Sequence, residues 1–179
     1  VIVRRLIAVE ALGSCTYIAS DKTGTLTPNL LTVRRLLFPG QESWQVSGDS
    51  DQPNGEIITA QGESADEQAK LLGLACQRAV WANECFPDRQ DDRWSSNGDA
   101  VDVALLIMAH RVGWTRAETL ASCPEIDIIP FESERLYSAS ANRVDGQSRV
   151  FVKGAFEKLL PMCDGIATVD GVGELDRTS

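Results

Sequence analysis

The dipeptide Asp145-Gly146 stands between two runs of strand-forming residues, 135–142 and 149–153. An Asp-Gly pair suits the two positive φ angles of a type I′ turn, whose twist matches that of two antiparallel strands. This feature predicts a hairpin, and the run 125–131 predicts a third strand beside it. Upstream, two stretches carry helical spacing. Ser64-Ala65-Asp66-Glu67 has the form of a capping box, and Leu72, Ala75, Cys76, Ala79 and Val80 follow on one face, so a helix is expected from 65 to about 82. A second helix opens at Gly98-Asp99, carries Val101, Ala104, Leu105, Met108 and Val112 as an apolar stripe, and closes on Gly113. Thr115 and Glu118 predict a short third helix. Further strands are expected at 31–38, 43–47, 56–60 and 165–169, with an exposed polar loop over 83–97 and a short helix over 154–162 weakened by Pro161. Clustered hairpin strands with a few helices are not the regular alternation of a parallel sheet. The expected class is α+β, an antiparallel sheet flanked by helices.

The first 30 residues have a different character. Cys15-Thr16-Tyr17-Ile18-Ala19 reads as a buried strand and runs into Ser20-Asp21-Lys22-Thr23-Gly24-Thr25-Leu26-Thr27. Asp21 then stands where strand gives way to loop, the edge at which parallel α/β sheets collect ligands. Gly24 permits a sharp turn, and the flanking Thr hydroxyls and amides can face an anion. A carboxylate there can bind Mg²⁺, attack a phosphoryl group, or be no more than a polar turn after a strand. One strand makes no domain. Residues 1–30 are therefore expected to be an incomplete piece of a parallel-sheet unit, and residues 31–179 a second domain.

Composition narrows the partners. The net charge is −9 and the pI about 4.6, which disfavours nucleic acid. No apolar stretch approaches the roughly 18 residues that span a bilayer. The start, Val1-Ile2-Val3-Arg4-Arg5, has neither the apolar core of a signal peptide nor a Met, and reads as part of a longer protein. Five cysteines, at 15, 76, 85, 123 and 163, form no Cys-x-x-Cys pair, so reduced thiols in a soluble monomer are expected. His110, the sole histidine, falls late in a helix, where a cap or surface role is the ordinary one.

The heptapeptide Asp21-Lys22-Thr23-Gly24-Thr25-Leu26-Thr27 resembles, letter for letter, the phosphorylation signature of P-type ATPases, the ion pumps that form an aspartyl-phosphate. The resemblance implies Asp21 as nucleophile toward the γ-phosphate of ATP, with Mg²⁺ held by the Asp21 carboxylate and the Thr23 carbonyl. Related phosphatases resemble Asp-x-Asp, whose second carboxylate speeds hydrolysis. Thr23 stands there here, so the implied phosphoenzyme persists long enough to drive a conformational change. A phosphatase-type hydrolase and a nucleotide-binding module without transport are the alternatives. Residues 3–14 look like the stretch that joins the fourth membrane helix of such a pump to its phosphorylation domain.

Three later words are similar to the nucleotide-binding domain of the same family. They are Gly98-Asp99-Ala100-Val101-Asp102 with Ala104-Leu105-Leu106, Pro130-Phe131-Glu132-Ser133-Glu134-Arg135, and Val152-Lys153-Gly154-Ala155. By this resemblance Phe131 stacks on adenine, Lys153 lies beside it with Gly154 giving room, Asp102 accepts from the adenine amino group, and Arg135 is the positive group left on its strand. The family's Glu is Asp102 here, its Thr is Val101, and its Lys after Ser-Glu-Arg is Leu136. His110 is followed by Arg111 rather than the Pro of heavy-metal pumps, which points to the Ca²⁺, Na⁺/K⁺, H⁺ or Mg²⁺ group. The implied setting is the cytoplasmic face of a membrane, with the transported cation bound in a part of the longer protein outside this chain. The 179-residue chain is expected to bind ATP without turning it over.

Overall fold

The computed structural model describes residues 16–17, 19–20, 30–38, 43–48, 55–58, 65–90, 93–97, 99–168 and 170–175. Asp21, Thr23 and Ser64 lie outside them. Residues 16, 17 and 19 of the expected first strand pair with none of the described residues, and Tyr17 is 92% exposed.

The helical layer sits between two small sheets. Helix α1 (Ala65–Trp81) and helix α2 (Ala100–Arg111) bury Cys76 and Val80 against Val103, Leu106, Ile107 and Met108. The far side of this cluster is covered by a three-stranded antiparallel sheet of β1 (Arg35–Leu36), β2 (Trp44–Val46) and β3 (Ile57–Ile58), through Leu36 and Ile57. The expected strand over 31–38 pairs at only two residues, Arg35 with Gln45 and Leu36 with Trp44. The apolar stripe expected on α2 also shifts: Val101 is 47% exposed, whereas Val103, Leu106 and Ile107 are buried. A helix covered on two sides is apolar nearly all round, so its periodicity does not select a face. Its end is legible. Gly113 adopts φ +86°, the Gly113 N–H donates to His110 O at 3.0 Å and the Trp114 N–H to Ala109 O at 3.0 Å, the pair of bonds of a Schellman motif.

The segment expected as an exposed loop over 83–97 is different. Asn83 and Cys85 are fully buried, and β4 (Phe86–Gln90) pairs with β5 (Arg93–Asn97) as a hairpin. Charge and proline made this stretch look like loop, but the Asn83 amide donates to Asp102 O at 2.9 Å and its Oδ1 accepts the Cys85 N–H at 2.9 Å. Hydrogen bonds to the backbone, rather than apolar burial, hold this turn in the interior.

The second sheet has order β6-β7-β8, with β6 (Glu125–Glu132), β7 (Tyr137–Val144) and β8 (Gln147–Gly154) all antiparallel. Asp145 and Gly146 turn the last two with φ of 50° and 76°, the expected two-residue hairpin, and Val144 faces Gln147 across it. Pro130 lies in β6, an edge strand, and the register slips between Ile129 and Glu132 around it. A residue with no N–H fits only where no ladder bond is asked of it. The sheet meets the helices through Phe151, stacked on Trp81 with ring centroids 4.5 Å apart, and through Arg116 at the start of α3 (Arg116–Ser122). Buried Arg116 donates to Val80 O at 3.0 Å and pairs with Glu125 at 3.3 Å, so one side chain ties the end of α1 to the start of β6. Thr115 caps α3, its hydroxyl accepting from the Glu118 N–H at 3.3 Å and reaching the Glu118 carboxylate at 2.6 Å. Helix α4 (Phe156–Leu159) continues as a 3₁₀ turn at Pro161, and a hairpin of β9 (Gly165–Thr168) and β10 (Gly171–Glu174) follows. The α+β class stands, built as separate antiparallel sheets. Among the described residues no helix is long and apolar enough to cross a membrane.

Burial pushes the Cys76 thiol up from 9.0 to about 12. The unfolded chain then loses a proton that the folded one keeps, so stability from this group is intact below pH 9 and falls as pH rises toward 12. Urea titrations under reducing conditions should show a midpoint that declines from pH 9 to 10.5. In Cys76→Ala that decline should be shallower, with stability at pH 7 lower by about 1 kcal/mol for the lost sulfur.

Candidate functional site

A cavity of about 520 Å³ opens where the first turn of α2, the end of β6 and the end of β8 converge. It is lined by Glu84, Cys85, Asp99, Val101, Asp102, Phe131, Leu136, Lys153, Gly154 and Ala155. The local sequence explains the convergence. Asp99 caps α2, its Oδ1 accepting from the Val101 N–H at 2.8 Å, which fixes where the first turn begins. Asp102, one turn in, is then carried under the sheet. Its carboxylate pairs through Oδ1 with the Lys153 ammonium and accepts the Glu84 N–H at Oδ2 at 2.9 Å. At 2% exposed, Asp102 has both oxygens engaged by the protein itself. The sequence reading gave Asp102 a ligand to hold. In the structure it lines the cavity and holds Lys153.

Phe131 stands at the mouth, 52% exposed, and its backbone N–H donates to Glu84 Oε1 at 3.2 Å. Lys153 is the one cation among the described lining residues. Burial lowers its proton affinity, and the carboxylates of Glu84 and Asp99 pull it back up. Gly154 is also explained by the protein. A Cβ there would sit 2.4 Å from Leu136 O and 2.5 Å from Tyr137 Cβ, so the glycine is required by the start of β7, and the room it gives goes to backbone. Leu136 itself adopts φ 61°, a strained angle for its type, held by its N–H to Glu132 O at 2.8 Å and by its carbonyl to the Ala155 N–H at 2.9 Å. Arg135 does not line the cavity. Its guanidinium pairs with Glu132 at 3.1 Å, donates to Pro130 O at 3.0 Å and lies over the Tyr137 ring.

Sequence reasoning missed Glu84 and Cys85. Both sit in the segment read as loop, and no pattern of period or capping marks them. Among its described residues the cavity offers an aromatic face and apolar walls, one ammonium and three carboxylates. That suits a flat, uncharged ring with amino donors better than a polyanion. Among the described residues no group of three His, Cys, Asp or Glu is placed to hold a metal ion.

With this geometry in view, likeness to known proteins is informative. Residues 61–177 match a family model described as "P-type ATPase, cytoplasmic domain N". The chain is 37% identical over 95% of its length to "Cation-transporting ATPase pma1" of Synechocystis sp., and covers 19% of that protein. It is 33% identical over 99% of its length to "Probable cation-transporting ATPase F" of Mycobacterium bovis, covering 20% of it. It is 30% identical over 89% of its length to "Calcium-transporting ATPase" of Bacillus subtilis, covering 18%. The chain thus spans about a fifth of the length of these relatives.

The close approach at Gly154 gives a direct test. Gly154→Ala should lower stability by about 1–3 kcal/mol, since its nearest obstacles are backbone and Cβ atoms that cannot swing aside. A denaturant midpoint equal to that of the wild type would show that β7 and β8 are not held this close.

Proposed function

This chain belongs to the P-type cation-transporting ATPases, as part of their cytoplasmic domain N, and we propose that its cavity binds the adenine ring of ATP. In the longer protein this places the γ-phosphate before Asp21, the nucleophile of an aspartyl-phosphate intermediate that drives cation transport. The observation that carries the reading is the meeting of Phe131 and Lys153 in one cavity, with an exposed aromatic face at its mouth and an ammonium on its floor. Base stacking on an aromatic side chain contributes roughly 1–3 kcal/mol. Lys153, held by Asp102, lies beside the base, and the triphosphate points out of the cavity, away from Glu84, Asp99 and Asp102. Arg135, paired with Glu132, is at most an outer contact. Mg²⁺ belongs with the phosphates, at Asp21 and Thr23, which rest on the sequence resemblance alone. The chain works on the cytoplasmic side of a membrane-bound pump of the Ca²⁺, Na⁺/K⁺, H⁺ or Mg²⁺ group.

Calorimetric titration of ATP, AMP and GTP into wild type and Phe131→Ala tests the site. Phe131→Ala should weaken ATP and AMP by similar factors, about tenfold if stacking is worth ~1.5 kcal/mol. Equal binding by the variant, or GTP equal to ATP, would make the assignment wrong.

A second measurement separates binding from turnover. The 179-residue chain should bind ATP without steady hydrolysis, since Asp21 is expected to belong to an incomplete unit. Sustained phosphate release that disappears in Asp21→Asn is the result that would sink this expectation.

A further inference from the structure

Asp102 and Glu84 face the same cavity, but they differ in what their carboxylates have left to give. Asp102 accepts from Lys153 at one oxygen and from the Glu84 N–H at the other, and at 2% exposed it offers almost no surface to a ligand. Glu84 spends Oε1 on the Phe131 N–H, while among the described residues Oε2 has no hydrogen-bond partner. Glu84 is half-buried, so a hydrogen bond made there is partly shielded from competing water. Asp99, the third carboxylate, is committed through Oδ1 to the cap of α2 and is exposed, where a bond to ligand gains little over one to solvent. The bond from Phe131 N–H also fixes Glu84 relative to the residue whose ring is the aromatic face. A carboxylate anchored in this way presents its second oxygen at a set position beside anything stacked on that ring.

We propose that Glu84 is the specificity-determining acceptor of this cavity: its free carboxylate oxygen receives an exocyclic amino N–H of the bound base, while Asp102 serves to hold Lys153. The proposal rests on the nucleotide reading above and deepens it. A carboxylate aimed at the edge of a purine rewards an amino substituent and gains nothing from a ring that carries hydrogen at that position. The site then selects an amino-bearing purine through a residue in the turn that follows α1, outside all three short words the sequence resemblance supplied.

The test compares ATP with purine riboside 5′-triphosphate, which lacks only the exocyclic amine, by calorimetry on the 179-residue chain. Wild type should bind ATP about tenfold or more tightly than the analogue, as expected of one hydrogen bond to a charged acceptor. Glu84→Gln keeps an oxygen for the Phe131 N–H but turns an amide NH₂ toward the base. It should bring the ratio close to one while leaving analogue affinity nearly unchanged. Glu84→Ala should also give a ratio close to one. Asp102→Asn should weaken both ligands by the same factor and preserve the wild-type ratio. The proposal fails if wild type does not discriminate, if the ratio survives in both Glu84 variants, or if it collapses in Asp102→Asn and not in Glu84→Gln. Absence of any nucleotide binding to wild type would overturn the nucleotide reading and this proposal together. Binding with a ratio indifferent to Glu84 overturns this proposal alone.

Discussion

The contact on which the rest of the site depends is the buried pair of Asp102 and Lys153. Asp102 belongs to the first turn of α2 and Lys153 to the end of β8, so the pair joins the helical layer to the second sheet at one point. An ionised carboxylate this deep is costly unless its oxygens are fully employed. Here they are, by the ammonium and by the Glu84 N–H. The same two bonds set the positions of the turn after α1 and of the last residues of β8. Removing one partner would leave the other charge buried alone, a loss of about 3–5 kcal/mol in comparable cases. Replacing both by apolar residues could preserve the fold and would erase the one cation among the described lining residues. The pair is better understood as a device for placing groups than as a source of stability.

The surroundings follow the same logic. Strand β7 carries Ser138, Ser140 and Asn142, all buried; the Ser138 hydroxyl has no hydrogen-bond partner among the described residues, and the other two are bonded. Ser140 donates to Asn142 Oδ1 at 2.9 Å, and Asn142 donates to Cys123 O at 3.4 Å. Arg116 completes a polar seam between the helices and the second sheet, whereas the helices meet the first sheet mainly through apolar Leu36 and Ile57, with Arg111 donating to Ser47 O at 2.9 Å at its edge. A seam of directed bonds has fewer satisfactory arrangements than a greasy one, because a slipped register leaves buried donors unpaired. That is a physical reason for a binding cavity to lie on the polar side of the helical layer, where register and side-chain direction are most tightly specified.

How much of this was legible in the sequence depends on the kind of signal. Local signals were read correctly: Asp145-Gly146 as a hairpin turn, Thr115 with Glu118 as a cap, Gly113 as the end of α2. These act within four or five residues and need no tertiary partner. The short words that bring Asp102, Phe131 and Lys153 to one cavity were also visible, although the spacing of the words says nothing about distance in space. What was not legible was tertiary. The turn is held inside because the Asn83 amide and the Glu84 N–H donate to the carbonyl and carboxylate of Asp102, 19 and 18 positions away, and because Cys85 joins the apolar cluster of the two helices. The buried face of α2 was legible only in part, at Ala104 and Met108, because two layers cover the helix and bury Val103, Leu106 and Ile107 as well. The pairing of Asp102 with Lys153, 51 positions further on, is likewise a contact that no local signal announces.

The charge of the cavity bears on how a nucleotide would lie in it. Among the described lining residues three carboxylates face one ammonium, so these residues are together net negative when all are ionised. Two unit charges ~10 Å apart interact by roughly 0.4 kcal/mol in water-like surroundings and roughly 1.7 kcal/mol at an effective dielectric of 20. A triphosphate pushed inward would meet several such repulsions and one attraction. An uncharged base loses nothing by entering. Such a lining would turn the base of a nucleotide inward and its phosphates outward, at a small cost in overall affinity. Under the proposed reading the γ-phosphate would then be the part left free for Asp21, and a more basic cavity would hold the triphosphate back from it.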